Sequence, residues 1–474
     1  MVARQNLLVL ALLASLLCVA LSSAAAATIE SWLTTADLRE TISPQPSLAF
    51  TAATDATDNR IEIEDTKTFQ TILGLGSSLE PTTCSNFWRM APADRETLME
   101  RVVDPDKGIG MNLMRLCIGT PDFTGDPWHS CDDVAPGETD PELVRFSITK
   151  DRDYILPVLK LARGLKPDLL FFASPWSPPA WMKTNQSLIG GSLDRKWYGA
   201  YTRYFVKFIQ AYESEGIPLY AVTIQNEPGV DRSKQSVRWH YPSCHYTAEQ
   251  ERDLIRDHLG PAFSAAGLKT KIWSYDHNFN EKAGSDDPGI DYPTVVMTDA
   301  PAGRYVGGIA FHGYEGHPSG MSTFHTRFPA VPLHFSEGSV FGSRGATELI
   351  SILRNWASSY NAWVTMIDEN RGPNNGPFKP SRTMVTLDGK TGGVKYHNDF
   401  FFYTQFMRFV KRGAVRLESS GVPENVAFQN RDGQIVLIVA NAEAKEAKIR
   451  VEFGGSAFVT VLPRQSVGTY TWPR

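Results

Sequence analysis

Cysteine is scarce in this chain, with five among 474 residues, and Cys18 falls inside the amino-terminal apolar run, which leaves Cys84, Cys117, Cys131 and Cys244. Four thiols do not staple a fold of this length. They can pair in three different ways or stay partly free, and their spacings match no CxxC zinc template, so no structural metal is expected. Charge of one sign is also missing: 47 Lys and Arg face 52 Asp and Glu, giving −5 and a pI near 6.1 without charge blocks. No basic footprint for nucleic acid is present, and a neutral ligand is favoured. Beyond the first residues there is no apolar run of roughly 18, no low-complexity segment and no short repeat, which excludes an internal membrane span and a solenoid.

What is present begins with Arg4 ahead of an apolar run from Leu7 to Leu21, followed by small residues from Ser22 to Ala27. This reads as a signal peptide over residues 1–27, because a membrane anchor needs about 20 apolar residues and Ser22-Ser23 interrupt sooner. The expectation is an exported protein, secreted or lysosome-like. The sequon Asn185-Gln186-Ser187 would carry a glycan in a eukaryotic host.

From residue 71 onward, short β-branched or aromatic runs alternate with amphipathic stretches, the pattern of βα units. Eight strands are expected: Thr71 to Leu79, Met111 to Gly119, Asp168 to Ser177, Leu219 to Glu227, Lys271 to Asp276, Val306 to Tyr314, Pro332 to Glu337 and Asn361 to Asp368. Helices are expected at Ala93 to Val103, Asp153 to Leu165, Lys196 to Glu215, Ala248 to Ala265, Thr347 to Tyr360 and His397 to Lys411, with a weak one around Thr294 to Asp299. Thr247 with Gln250 three residues on is a capping box. Eight such units imply an α/β fold of the (β/α)8 TIM-barrel type. A doubly wound sheet would show a GxGxxG turn, and Gly74-Leu75-Gly76-Ser77-Ser78 lacks the third glycine.

The flanks differ in texture. Alternating runs at Arg60 to Glu64, Asn425 to Gln429, Gln434 to Asn441, Lys448 to Phe453 and Phe458 to Leu462, with a hairpin signal at Arg431-Asp432-Gly433, imply a β-sandwich built from both chain ends. The expected division is residues 28–70 for the amino-terminal sandwich strands, 71–412 for the barrel and 413–474 for the remaining sandwich strands.

In a TIM barrel the chemistry lies at the carboxyl ends of strands. Glu227 and Glu337 end apolar strands four and seven, where burying a carboxylate costs several kcal/mol unless it is paired or used. Two converging carboxylates beside aromatic faces such as Trp176, Tyr314 and Trp363 are the equipment of glycoside hydrolysis. The bland alternative pairs these glutamates with Arg115 or Lys183 and treats the aromatics as core. Both carboxylates together, with Asn226 adjacent, favour catalysis. No cofactor is called for, and His317 and His325, without a third partner, do not make a metal site.

The segments Thr223-Ile224-Gln225-Asn226-Glu227-Pro228, Phe335-Ser336-Glu337, Ser174 to Lys183 (SPWSPPAWMK) and Tyr241-Pro242-Ser243-Cys244 resemble glycoside hydrolase family 30, most of all its glucosylceramidases and their microbial relatives. The resemblance implies a retaining β-glycosidase, with Glu337 as nucleophile and Glu227 as acid/base. It implies further that Asp122, Trp176, Asn226, Tyr314 and Trp363 hold the glycone, while Arg115 and His312 support the carboxylates. Arg115 would hold the nucleophile ionised, the apolar strand end would push the acid's pKa up, and Asn226 would bond the sugar 2-hydroxyl. The implied substrate is a β-linked glucoside, glucosylceramide first, with peripheral lipid contact. β-1,6-Glucan or a xyloside is the alternative within the family, and an inactive carbohydrate-binding protein is the alternative outside it. The sequence departs from the family at Gly313, where Trp is usual, which is expected to open space beside the site. It also departs at Glu315 to Pro318 and Arg371 to Pro377, two loops expected to border the leaving group. Exo or endo action and oligomeric state stay open.

Overall fold

Short strands that are apolar on both faces have no side to give to water, so each must be covered twice, and a closed barrel jacketed by helices does this. The computed structural model describes residues 28–52, 59–282, 287–339, 341–380 and 383–474; the expected signal segment lies outside them. Eight parallel strands run in chain order: Gly74–Ser77, Leu113–Ile118, Leu170–Pro175, Leu219–Thr223, Lys271–Asn278, Val306–His312, Leu333–Glu337 and Ala357–Ala362. The ring closes where Ser78 pairs with Arg115. Gly76 permits that closure, since a Cβ there would lie 1.8 Å from the Leu113 carbonyl oxygen.

Strand eight departs from expectation. The helix thought to reach Tyr360 is Gly342–Arg354, the barrel strand is Ala357–Ala362, and Met366–Asp368 belongs to a separate small sheet with Val385–Leu387 and Val394–Tyr396. Polar residues disguised this strand, because their bonds are made inside the barrel. The Asn361 amide donates to the carbonyls of Ser77 and Leu113 at 3.2 and 2.9 Å, and Ser359 Oγ lies 2.9 Å from His334 Nδ1. Two helices, Pro81–Arg89 and Ser319–Arg327, were not anticipated. The capping box at Thr247 and Gln250 forms as expected, and the stretch it opens contains a π-turn, Ile255–Leu259.

The second unit is a nine-strand ladder in the order Ser456–Leu462, Ala447–Phe453, Asn59–Thr71, Val415–Gly421, Glu424–Gln429, Gln434–Asn441, Ser466–Pro473, Thr28–Thr35, Thr41–Ala49. Strands from both chain ends therefore interleave. The ladder folds back on itself: Thr51 bridges Ala457, and the Phe458 ring meets Tyr470 and Trp472 at 5.6 and 5.9 Å across a core that includes Ile29, Ile61 and Leu437. Gln405, on helix Asn398–Met407, ties barrel to ladder by donating to Thr34 Oγ1 at 2.9 Å and accepting from Thr469 Oγ1 at 2.6 Å.

All four cysteines are unbridged and buried. Burial pushes their thiols up, that of Cys244 to about 11, so each packs as a small apolar group. Among the described residues no helix is long and apolar enough to cross a membrane.

Candidate active site

Strands two, five and seven deliver the first part of the site. Arg115, wholly buried on strand two, points into the barrel mouth, where its Nη1 pairs with Glu337 and its Nη2 donates to Asp276 Oδ2 and Asn226 Oδ1, each at 2.8 Å. Asp276 anchors everything beneath the carboxylates. Its Oδ2 also accepts from Ser174 and Thr223 at 3.0 and 2.8 Å, while its Oδ1 accepts from Ser336 at 2.6 Å and lies 3.0 Å from His312 Nε2. Burial pushes the Asp276 carboxyl up, but Arg115 and His312 outweigh it and hold the group well below the usual range. Glu337 Oε1 accepts from the Tyr314 hydroxyl at 2.8 Å.

Glu227 lies just beyond strand four with φ near 50, a left-handed conformation uncommon for this residue type, held by hydrogen bonds from the Asn226 amide to Pro175 at 2.8 Å and from its own amide to Asp276 at 3.1 Å. Its side chain lies 3.6 Å from His312 Nδ1 and accepts from Tyr241 Oη at 3.3 Å. The expectation that an apolar strand end raises this carboxyl is wrong for the free protein. Burial does push it up, but His312, His277 and Arg232 bring it down to about 2. His312 carries the proton instead: burial lowers it, yet Glu337 and Asp276 lift it to about 9. Asp122 is the opposite case, raised well above the carboxylate range by burial and by the charges of Glu337 and Glu227.

These groups open onto a cavity of about 580 Å³ lined by Asp122, Trp176, Asn226, Glu227, Tyr314, Glu337 and Trp363, with Arg232, Tyr241, His277 and Phe378 on its other walls. Trp176 and Trp363 stack with centroids 5.2 Å apart, and Phe123 meets Trp363 edge-on at 5.7 Å. Arg115 and His312 lie beneath this surface, both fully buried. One ligand atom each from Glu227, His312 and Glu337 falls within 4.8 Å of the others, which bounds the nearest approach of the two carboxylates. Both Glu337 oxygens already have partners in Tyr314 and Arg115, so the trio is a proton and charge network among protein groups. Lys183 takes no part: its ammonium donates to Ser177 Oγ and to the Leu188 and Ser243 carbonyls.

Residues 72–374 match the family model for the glycosyl hydrolase family 30 TIM-barrel domain, and residues 413–470 match that for the family's beta sandwich domain. The chain belongs to glycoside hydrolase family 30. It is similar to an endo-1,6-beta-D-glucanase of Neurospora crassa, 32% identical over 441 residues, covering 87% of this chain and 88% of the relative. It is also similar to lysosomal acid glucosylceramidase of Mus musculus, 26% identical over 452 residues and covering 87% and 83%. Among solved structures, the endo-beta1,6-glucanase BT3312 superposes with a TM-score of 0.83 at 29% identity, covering 94% of this chain and 99% of that one.

For a family 30 glycosidase, two sequence expectations need correction. Gly313 does not open space beside the cavity, because a Cβ there would meet Phe335 Cζ at 2.9 Å and Phe279 at 3.5 Å; the glycine fits the ring stack under the mouth. None of residues 371–377 lines the cavity, although Phe378, Lys379 and Pro380 just beyond them do; the loop buttresses the segment carrying Asp122, with the Asn375 and Gly376 amides donating to the Thr124 and Asp122 carbonyls at 2.7 and 3.0 Å. Asp276 was missed, although it carries the same signal as Glu227 and Glu337, a carboxylate near the end of an apolar strand. Tyr241 and Arg232 come from the loop after strand four, where no periodic pattern marks them.

Proposed function

We propose that the protein is a retaining endo-β-1,6-glucanase, exported from the cell, with Glu337 as nucleophile and Glu227 as acid and then base. The observation that carries the substrate is similarity along nearly the whole chain to proteins named for that activity. To the Neurospora and BT3312 proteins are added those of Aspergillus fumigatus, 30% identical over 448 residues, and Trichoderma harzianum, 29% over 444. Glucosylceramide, which the motif resemblance puts first, becomes the second reading, supported by the mouse protein and by relatives named putative glucosylceramidases in Caenorhabditis elegans. Arg232 and Lys379 among the cavity walls suit a hydroxylated leaving group better than a ceramide tail.

Retention is supported by the carboxylate spacing. Atoms within 4.8 Å fit the ~5–5.5 Å of retaining pairs rather than the ~6.5–9.5 Å that leaves room for a water in inverting ones. In the first step Glu337 forms an ester with the anomeric carbon, the glycosidic bond breaks, and Glu227 delivers a proton to the departing oxygen. In the second, water attacks the anomeric carbon, Glu227 takes its proton, Glu337 leaves as the carboxylate, and the proton on Glu227 returns to His312 as the restored Glu337 charge lifts it again. The low position of Glu227 in the free protein is reconciled by His312. As esterification consumes the Glu337 charge that lifts His312, the imidazolium becomes more acidic and its Nδ1 proton passes to Glu227. Asp122, which burial and the charges of Glu337 and Glu227 push toward its neutral form, shares the cavity with Trp176 and Trp363 and can donate to a sugar hydroxyl there.

The test is a parallel assay on β-1,6-glucan oligomers and on glucosylceramide, with product anomers read by proton NMR. Internal cleavage of the glucan into β-anomeric oligomers is expected. Ceramide release without glucan cleavage would move the second reading to first place, and initial α-anomers would overturn retention.

A further inference from the structure

The barrel has a second cavity at its other end. About 530 Å³ in volume, it is lined by residues at the starts of strands four to eight, under a roof made by the end of Asn59–Thr71 and the hairpin turn at Arg431. Its volume lies within the ~300–1,000 Å³ range of small-molecule sites. The catalytic carboxylates sit at the opposite, carboxyl-terminal face, so whatever binds here is separate from the reaction proposed above.

Its lining contains Lys271, Arg412 and Arg431 and not one Asp or Glu, in a chain that carries five more acidic than basic residues overall. Arg412 is a fixed charge. Its Nε, Nη1 and Nη2 are spent on the carbonyls of Leu73, Asp168 and Asn112 at 3.0, 2.7 and 2.5 Å, and its carboxylate neighbour, Asp168 at 3.7 Å, lies outside the lining. Lys271 and Arg431 are exposed, and neither has a hydrogen-bonded or ion-paired partner among the described residues. The Lys271 ammonium stands 5.2 Å over the Tyr220 ring. Burial and the repelling charge of Arg431 lower Arg412 while Asp168 and Tyr220 raise it, and Arg412, Arg431, Tyr220 and Lys271 all line the same cavity. Beside them His334, only 3% exposed, holds Ser359 Oγ at its Nδ1 and has no partner for Nε2 among the described residues. Assembling three cations around a concavity with a single carboxylate, Asp168, beside one of them and outside the lining is unfavourable, and an anion seated among them reduces the repulsion and supplies acceptors for Lys271 and Arg431.

We propose that this cavity binds an oxyanion, a phosphate or carboxylate group carried on a small polar molecule such as a sugar. Arg412 sets the field, Lys271 and Arg431 donate to the charged oxygens, and Tyr220 Oη with His334 Nε2 bonds the carrier. The same charged group can arrive on a free metabolite or on a unit of an anionic polysaccharide, and the experiment separates the two.

Isothermal titration calorimetry at low ionic strength, where surface charge is least screened, would compare inorganic phosphate, a hexose monophosphate and a uronate-containing oligosaccharide. Wild type is set beside Lys271→Ala/Arg431→Ala and beside Lys390→Ala, which removes an exposed cation elsewhere. The expected result is saturable binding of at least one probe, weakened tenfold or more in the double variant and unchanged in Lys390→Ala, with glucan turnover unchanged in all three proteins. Tighter binding of the hexose monophosphate identifies a metabolite as carrier, and tighter binding of the oligosaccharide identifies a polymer. Both changed side chains are exposed, so a melting curve matching wild type is expected and verifies the fold. Absence of saturable binding by every probe, or equal affinity in the double variant and wild type, overturns the proposal.

Discussion

Replacing Asp276 by Asn tests the charge network most directly. The substitution keeps shape but removes the charge that, with Glu337, holds His312 protonated. The folded His312 sits at about 9 against an ordinary 6.5, a difference worth roughly 3 kcal/mol of stability. Because the folded value is the higher one, that stabilisation is complete below pH 6.5 and is lost as pH rises through 9. Asp276 supplies one of the two charges and the 3.0 Å contact to Nε2, so its loss should bring His312 down by about 1–2 pH units. It also leaves Arg115 with less compensation, and breaking a buried pair costs about 3–5 kcal/mol, here toward the lower end since Glu337 still pairs with the guanidinium. The assay is the pH profile of kcat/KM on a β-1,6-glucan oligomer, whose poor leaving group needs the acid's proton, run beside thermal melts across the same range. The alkaline limb should move toward neutrality and the stability loss with pH should begin earlier. A variant that melts cooperatively yet keeps the wild-type alkaline limb would refute the placing of the catalytic proton on His312.

For Glu337→Gly, turnover should vanish and azide should restore it with an inverted glycosyl azide as product; a folded variant that azide does not rescue would count against the nucleophile. Glu227→Gln should lose far less activity on substrates with good leaving groups than on poor ones, since the former need little protonation; equal losses in comparative kcat measurements would remove the acid role. Gly313→Ala should destabilise by about 1–3 kcal/mol in chemical denaturation, because its methyl would meet Phe335 at 2.9 Å, with little change in KM. A changed KM at unaltered stability would return Gly313 to the cavity. Phe378→Ala, on a half-exposed ring 5.7 Å from Trp239 and 6.0 Å from Tyr241, should raise KM for glucan oligomers several-fold while leaving an aryl glucoside unaffected; equal effects on both would place the ring with the glycone.

The barrel was legible because seven of its strands are apolar enough to announce themselves, and the eighth was misplaced because its polarity is internal. Ser359 and Asn361 look like surface residues until the strands that receive their hydrogen bonds are known, and those strands are distant in sequence. Gly313 misled for the same reason: the side on which it saves space depends on Phe335, which only the barrel brings near. The site shows what a rule on single strands can and cannot carry. A carboxylate near the end of an apolar strand needs a cation or a task, and applied evenly the rule finds Asp276 along with Glu227 and Glu337. Protonation obeys no such local rule. Burial alone raises Glu227 and Asp276, yet His312, a base that burial alone would discharge, keeps its proton because carboxylates from strands five and seven converge on it, and that imidazolium draws Glu227 down. The resting state of Glu227 is therefore a property of three strand ends at once, and in the proposed mechanism it changes when the charge of Glu337 is consumed.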